Sequence, residues 1–251
     1  MKKGLLKCAP VLLLIFNLAA CSNSSEKRND EEVKASPDST ATAVPTKNTV
    51  NLFDGKTLTG WHGFNKNGEV KNWKIEDSAL VCLGAAKDAS GGDLVSDKEY
   101  ENFELNWQWK VTKGGNSGVM YHVIESSKYK TPYETGPEYQ MIDDIGFPEK
   151  LEEWQKSGAD YAMNLANDKK KLMPVGGWNT SKIVFNNGHV EHWLNGEKIV
   201  EFQAWDEKWN REKKEGKWKD YPDYGIAKKG RIALQDHGNK VYFKNIYITE
   251  L

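Results

Sequence analysis

The sequence predicts an all-β sandwich over residues 48–251, and three observations carry that prediction. The first is alternation. Phe103, Leu105, Trp107, Trp109 and Val111 fall on one side of an extended segment, and Glu104, Asn106, Gln108 and Lys110 on the other. That two-residue period belongs to a strand with one buried face. The second is turn chemistry: Asn187-Gly188 and Asn195-Gly196 divide residues 182–202 into a three-strand meander, because both central residues of a type I′ turn need positive φ. The third is bulk, with ten Trp and ten Tyr in 251 residues, which suits a large β core, a carbohydrate site, or both. Further along, 232–235 and 241–249 read as closing strands. Residues 206–219 are charged and helix-prone, and 160–177 lack strand character and predict a long connection. Gly114-Gly115-Asn116-Ser117-Gly118 is expected between strands, and no internal repeat is visible.

The N-terminus reads differently. Lys2, Lys3 and Lys7 precede an apolar run at 11–16, which is too short to span a bilayer. Leu18-Ala19-Ala20-Cys21 then resembles the lipobox of bacterial lipoproteins, with Cys21 the acylated residue. The expected organisation is a signal peptide over 1–20, a lipidated Cys21 with a tether over 21–47, and the sandwich over 48–251. The tether is rich in Ser, Thr, Pro and charge, and too poor in apolar side chains to offset its ordering entropy. This layout places the domain at the cell envelope, anchored through lipid, most simply to the outer membrane. Cys82 is then the one cysteine left in the body, flanked by Leu80, Val81 and Leu83 and expected to be a buried, inert thiol.

Net charge is −1 with both signs interspersed, so no nucleic-acid surface is expected. No Gly-x-Gly-x-x-Gly run suggests a dinucleotide, and Ser117 lies outside any Gly-x-Ser-x-Gly elbow.

Several motifs then occur together: Leu52-Phe53-Asp54-Gly55-Lys56-Thr57-Leu58, Gly91-Gly92-Asp93-Leu94, Tyr133-Glu134-Thr135-Gly136-Pro137-Glu138-Tyr139-Gln140, Glu191-His192-Trp193-Leu194-Asn195-Gly196 and Leu234-Gln235-Asp236-His237-Gly238. In this order the chain resembles the 3-keto-disaccharide hydrolase domain family. The resemblance implies a concanavalin A-like jelly roll with a sugar-sized groove, and cleavage of glycosides already oxidised to a ketone at C3. It also implies a separate sugar oxidoreductase to make that ketone.

Such a ketone acidifies the hydrogen on C2. Loss of that proton gives an enolate that expels the group on C1, with or without later addition of water. The chemistry needs a base, a donor or cation for the oxyanion, and an acid for the leaving oxygen. The expected catalytic residues are Glu138 or His122 as base, with His237. Gln140 shares a strand face with Glu138, and Gln235 shares one with His237 if that strand continues. Asp143 is expected to bind a sugar hydroxyl or a divalent cation, with His122, Glu138 or His237 as other donors. His189 and His192, three apart on a strand, cannot chelate together. His192, Trp193 and Trp178 complete the expected substrate contacts, since a Trp face suits the C–H face of a sugar. A non-catalytic carbohydrate-binding lipoprotein is the competing reading. It predicts an aromatic platform without clustered ionisable groups.

Overall fold

A computed structural model describes residues 48–84 and 92–251; the expected leader, Cys21 and tether lie outside the described residues, as does Gly91. The chain forms two antiparallel sheets. The larger holds β1 (Thr49–Asn51), β3 (Trp73–Glu76), β4 (Ala79–Leu83), β6 (Phe103–Val111), β9 (Asn179–Asn186), β10 (His189–Leu194), β11 (Glu197–Gln203) and β13 (Lys240–Glu250). Its order is β11-β10-β9-β6-β13-β4-β3, with β1 added alongside β13. The smaller runs β2-β5-β12-β7-β8, from β2 (Trp61–Gly63), β5 (Leu94–Tyr100), β12 (Gly230–Leu234), β7 (Asn116–Val123) and β8 (Glu138–Ile142).

The expected sandwich is therefore observed, and its elements fall where patterning placed them. β6 alternates buried and half-buried residues along its whole length. The meander β9-β10-β11 turns at Asn187-Gly188 and Asn195-Gly196, all four with positive φ. The charged segment becomes α1 (Glu207–Glu215), started by Asp206, whose carboxylate accepts from the Trp209 backbone N–H. One detail differs: Asn116–Gly118 open β7 rather than linking two strands.

Between the sheets lies a continuous apolar core including Leu105, Trp107 and Trp109 from β6 and Val119, Tyr121, Tyr139 and Met141 from the small sheet. Cys82 is fully buried in it, as expected. Trp107 meets Tyr139 edge-on at 4.9 Å, and its indole N–H donates to the Met141 sulfur. A polar chain crosses the same core. The Trp109 indole donates to Ser181 Oγ at 2.8 Å, and Ser181 Oγ donates to Tyr139 Oη at 2.8 Å. Tyr139 Oη in turn donates to the Trp193 carbonyl. Buried hydroxyls without partners are expensive, so this chain fixes the register of β8 against three strands of the opposite sheet. Tyr139→Phe should therefore lower unfolding free energy by about 1–3 kcal/mol, measured as a reduced urea midpoint with unchanged m-value.

Candidate active site

The outer face of the small sheet is built in rows. His62, Val95, Ala233, Met120 and Glu138 are cross-strand neighbours in one row. One step further, Gly118 pairs with Gln140 and accepts from the Gln235 backbone N–H. Asp93 stands next to Gln235 across the β5–β12 pair and accepts from the Asp236 backbone N–H at 2.7 Å. Asp93, Gln235, Gly118 and Gln140 thus form a second row. Gly118 is the opening in this floor. A Cβ there would stand 2.0 Å from Glu138 Oε1, so the missing side chain is what lets the Glu138 carboxyl lie over the sheet.

Apolar packing walls this patch. Phe64, Val95, Met120, Val123 and Ala233 cluster with Tyr129 and Tyr133 on one side. On the other, residues 158–161 extend the sheet past β8, with Tyr161 N–H donating to the Glu138 carbonyl and Gly158 N–H to the Gln140 carbonyl. Trp218 and Tyr224, stacked at 4.0 Å, pack there with Trp209 and Tyr161. Lys217 projects from this aromatic layer. Its ammonium lies 4.1 Å from the Tyr161 ring centroid and donates to Tyr161 Oη.

Burial dominates the electrostatics. It lifts the Glu138 pKa from the ordinary 4.5 to about 8; Asp93 and Asp160 add to the rise, while Lys217 and a Gln235 hydrogen bond oppose it. Burial likewise lifts Asp93 from 3.8 to about 7, with the Asp236 charge adding and the Asp236 N–H and Lys66 opposing. Behind Glu138, burial carries Asp160 to about 7. Two amide oxygens of this region, Gln235 Oε1 and Asn116 Oδ1, are buried without a hydrogen-bond partner. The patch therefore combines two carboxyls that hold protons near neutrality, two flanking ammonium groups, and two buried amide oxygens. It suits moving protons on a hydroxyl-rich molecule.

Comparison with known proteins agrees with this chemistry. Residues 48–249 match the profile of the 3-keto-alpha-glucoside-1,2-lyase-like domain. The chain belongs to this family. A 3-keto-disaccharide hydrolase of Bacteroides thetaiotaomicron is 34% identical over 242 residues, spanning 86% of this chain and 83% of that protein. A candidate glycosyl hydrolase from Parabacteroides distasonis, of known crystal structure, shares 46% identity. It superposes with a TM-score of 0.76 over 83% of this chain and 98% of its own. A second from the same organism shares 26% identity at a TM-score of 0.60, over 81% and 99%. The resemblance drawn from the motifs thus holds.

The structure brings Glu138, Gln140 and Gln235 together, and it corrects the placement of the other expected residues. His122 is 1% exposed and faces the inter-sheet core, packed on Phe103, Tyr121 and Phe185. A bulge explains this: between Met120 and Val123 two β7 residues oppose one on β12, and His122 takes φ +52°. The extra residue turns its ring inward, where Nε2 bonds the Glu101 carbonyl and burial lowers its pKa to about 4. His192 is also a core residue, bonded through Nδ1 to the Gly158 carbonyl with its pKa pressed to about 4 by burial.

His237 does not continue β12. The strand ends at Leu234, and the Asp236 carboxylate holds Asn72, Gly92 and Gly238, leaving His237 exposed on the turn. Trp193 and Trp178 lie on the large sheet, clear of the Glu138 patch. Trp193 donates to Glu191 with Lys182 over its ring, and Trp178 meets Tyr242, Lys110 and Lys244. Asp143 is a loop anchor, accepting the backbone N–H groups of Gly114, Ile145 and Gly146. Those N–H groups hold its pKa low despite burial.

Asp93, Lys66, Lys217 and Asn116 went unrecognised in the sequence. Asp93 stood within a quoted motif, but only strand pairing shows that it joins Gln235. Among the described residues, one His and carboxylate group converges as metal ligands would: His189, Glu191 and Glu201. Lys198 already bridges its two carboxylates at 3.0 and 2.6 Å, so it reads as an ion-pair network on the large sheet.

The raised pKa of Glu138 carries a stability consequence. The folded chain keeps the Glu138 proton to about pH 8, whereas an exposed carboxyl releases it near 4.5. The unfolded state therefore binds fewer protons across that window, and rising pH favours unfolding. Glu138→Gln removes this penalty. It should raise Tm relative to the parent by several degrees at pH 9, with the gap closing towards pH 5, as followed by calorimetry.

Proposed function

We propose that this chain cleaves the C1–oxygen bond of glycosides whose sugar carries a ketone at C3, by elimination followed by addition of water. The observation that carries this reading is the pair Asp93 and Glu138. Burial lifts both carboxyls into the neutral range, and they stand on either side of the Gly118 opening, three strand spacings or about 14 Å apart at the backbone. Between about pH 7 and 8 the pair holds one proton. Asp93, the more acidic member, takes the C2 proton. The electrons of that C–H bond form the enolate of the C3 ketone, and its collapse breaks the C1–oxygen bond. Glu138 gives its proton to the departing oxygen. Water then adds at C1 and a proton returns to C2, so the net change is hydrolysis. Lys217 and Lys66 flank the carboxyls and supply positive charge to the developing oxyanion.

The family description names a lyase and the curated relative a hydrolase. Elimination completed by hydration accommodates both. A purely binding role explains neither tuned carboxyl. The substrate requires a separate oxidoreductase that converts a C3 hydroxyl to the ketone. Acylation at Cys21 and a tether through residue 47 would hold the domain at the cell envelope beside such a partner.

The test incubates the protein with a 3-keto-glucoside and with the matching unoxidised glucoside in D2O. Release of the leaving group from the keto form alone, with deuterium incorporated at C2 of the sugar product, is the expected result. Equal cleavage of both glucosides, or cleavage without C2 exchange, overturns the reading. The kcat/KM profile should be bell-shaped with limbs near 7 and 8, and Asp93→Asn and Glu138→Gln should each remove at least about 10²-fold of the rate while the fold persists by circular dichroism.

A further inference from the structure

Beyond Glu138 the outer face of the small sheet continues into an aromatic pair. Tyr139 bridges Asp160, and the Tyr161 N–H donates to the Glu138 carbonyl at 2.9 Å. Tyr161 therefore stands across from Glu138 and leaves the same face of the sheet. Its ring meets Trp154 edge-on, with centroids 5.3 Å apart and planes at 65°. Trp154 comes from a single 3₁₀ turn, Glu153–Gln155. That turn is held at two points: Gln155 Oε1 accepts the Glu152 N–H, and the Trp154 carbonyl accepts the Ala162 N–H. Both rings are half-buried, and Trp154 lies outside the apolar clusters of the described residues. Lys217 links the pair to the carboxyl. Its ammonium is 4.1 Å from the Tyr161 centroid and 5.8 Å from that of Trp154. It spends one of its three N–H donors on Tyr161 Oη at 3.0 Å, and its charge acts on Glu138.

The order of groups along the sheet gives this pair a place in the reaction. In the proposed elimination Asp93 takes the proton from C2, and Glu138 protonates the oxygen on C1. Asp93 flanks β5, and β12, β7 and β8 follow in that order, with residues 158–161 beyond β8. The atoms C2, C1 and the glycosidic oxygen thus run from β5 towards β8. Whatever hangs from that oxygen continues in the same direction and meets Tyr161 and Trp154.

The chemistry of these groups describes the occupant. An aromatic ring suits the C–H face of a sugar, while an ammonium with donors to spare and a phenol oxygen suit its hydroxyls. A purely hydrocarbon leaving group would strip water from Lys217 and Tyr161 Oη and replace none of it.

We propose that Trp154, Tyr161 and Lys217 form the binding site of a second sugar ring, the leaving group of the glycoside, with Trp154 as its specificity-determining contact. The proposal rests on the cleavage reading above and adds the leaving group and its contacts to it.

The test compares 3-keto-maltose and 3-keto-cellobiose, each oxidised on the non-reducing ring, with the methyl 3-keto-glucoside of matching anomer, on the full chain. For the anomer that is cleaved, kcat/KM for the disaccharide should exceed that for the methyl compound at least about tenfold, expressed through KM. Trp154→Ala should bring that ratio towards one by raising KM for the disaccharide, and Trp154→Phe should keep most of it. Both variants should retain the parent's thermal transition, because Trp154 stands outside the core. A parent ratio near one, a ratio unchanged in Trp154→Ala, or an equal loss on both substrates overturns the sugar site and leaves keto-glycoside cleavage standing. A parent that cleaves none of these compounds sinks the cleavage reading, and titration calorimetry then decides the site alone. Saturable binding of a keto-disaccharide that Trp154→Ala abolishes upholds a sugar site, and equal binding by parent and variant removes it.

Discussion

The seating of β8 governs this molecule. Tyr139 and Met141 on its inner side lie against Trp107, and Tyr139 closes a hydrogen-bond chain through Ser181 to Trp109. Because a strand alternates, every constraint on those inner residues fixes the outer ones. Glu138 and Gln140 inherit their positions from the core rather than from contacts on their own face. A slip of one residue would put a carboxyl among tryptophans and a tyrosine into the site. Glu138 and Gln140 are thus placed by a rigid element, which is the arrangement that holds proton-transfer groups to a narrow geometry, and Asp93 and Gln235 stand directly beside the ends of β5 and β12.

How much of this was legible depended on which physical rule each residue obeyed. Period-two alternation and Asn-Gly turns are local, so β6 and the β9-β10-β11 meander could be read directly. The shared face of Glu138 and Gln140 follows from the same rule. His122 defeated it because a bulge inserts one residue and reverses facing beyond it, and nothing local in Val119-Met120-Tyr121-His122 announces a positive φ. Trp193 shows a different limit. Alternation assigns it to the side opposite His192, yet leaves open which side is core. Both were expected at the substrate; one is interior and the other lies on the large sheet. Asp93 was out of reach for a third reason. Its partnership with Gln235 depends on β5 lying beside β12, a pairing across about 140 residues of chain.

The raised carboxyls are where function departs from what folding alone would select. Glu138 sits beside Met120 and over a glycine, in an environment that disfavours its charged form. A glutamine would satisfy the same space without titrating. Keeping an ionisable group there costs stability at alkaline pH, and the unpartnered amide oxygens nearby add to that cost. A titratable group kept at such a cost on one face of the sheet is the pattern expected of a working site.

The same values separate the proposed chemistry from ordinary glycoside hydrolysis. Displacement at C1 needs one carboxylate firmly ionised as nucleophile or base, opposite a protonated acid. Here neither member of the pair is firmly ionised at neutral pH, since Asp93 rests near 7 and Glu138 near 8. A carboxyl so tuned is a poor permanent anion but a good proton carrier, because its pKa approaches the pH at which it must both accept and release. Elimination from a ketone asks for that: one proton off C2, one onto the leaving oxygen, and cations nearby for the enolate. The ketone supplies the electron sink that a nucleophile would otherwise have to replace, and a sheet face with two carboxyls raised by burial, two lysines and a bare glycine suits the proposed elimination.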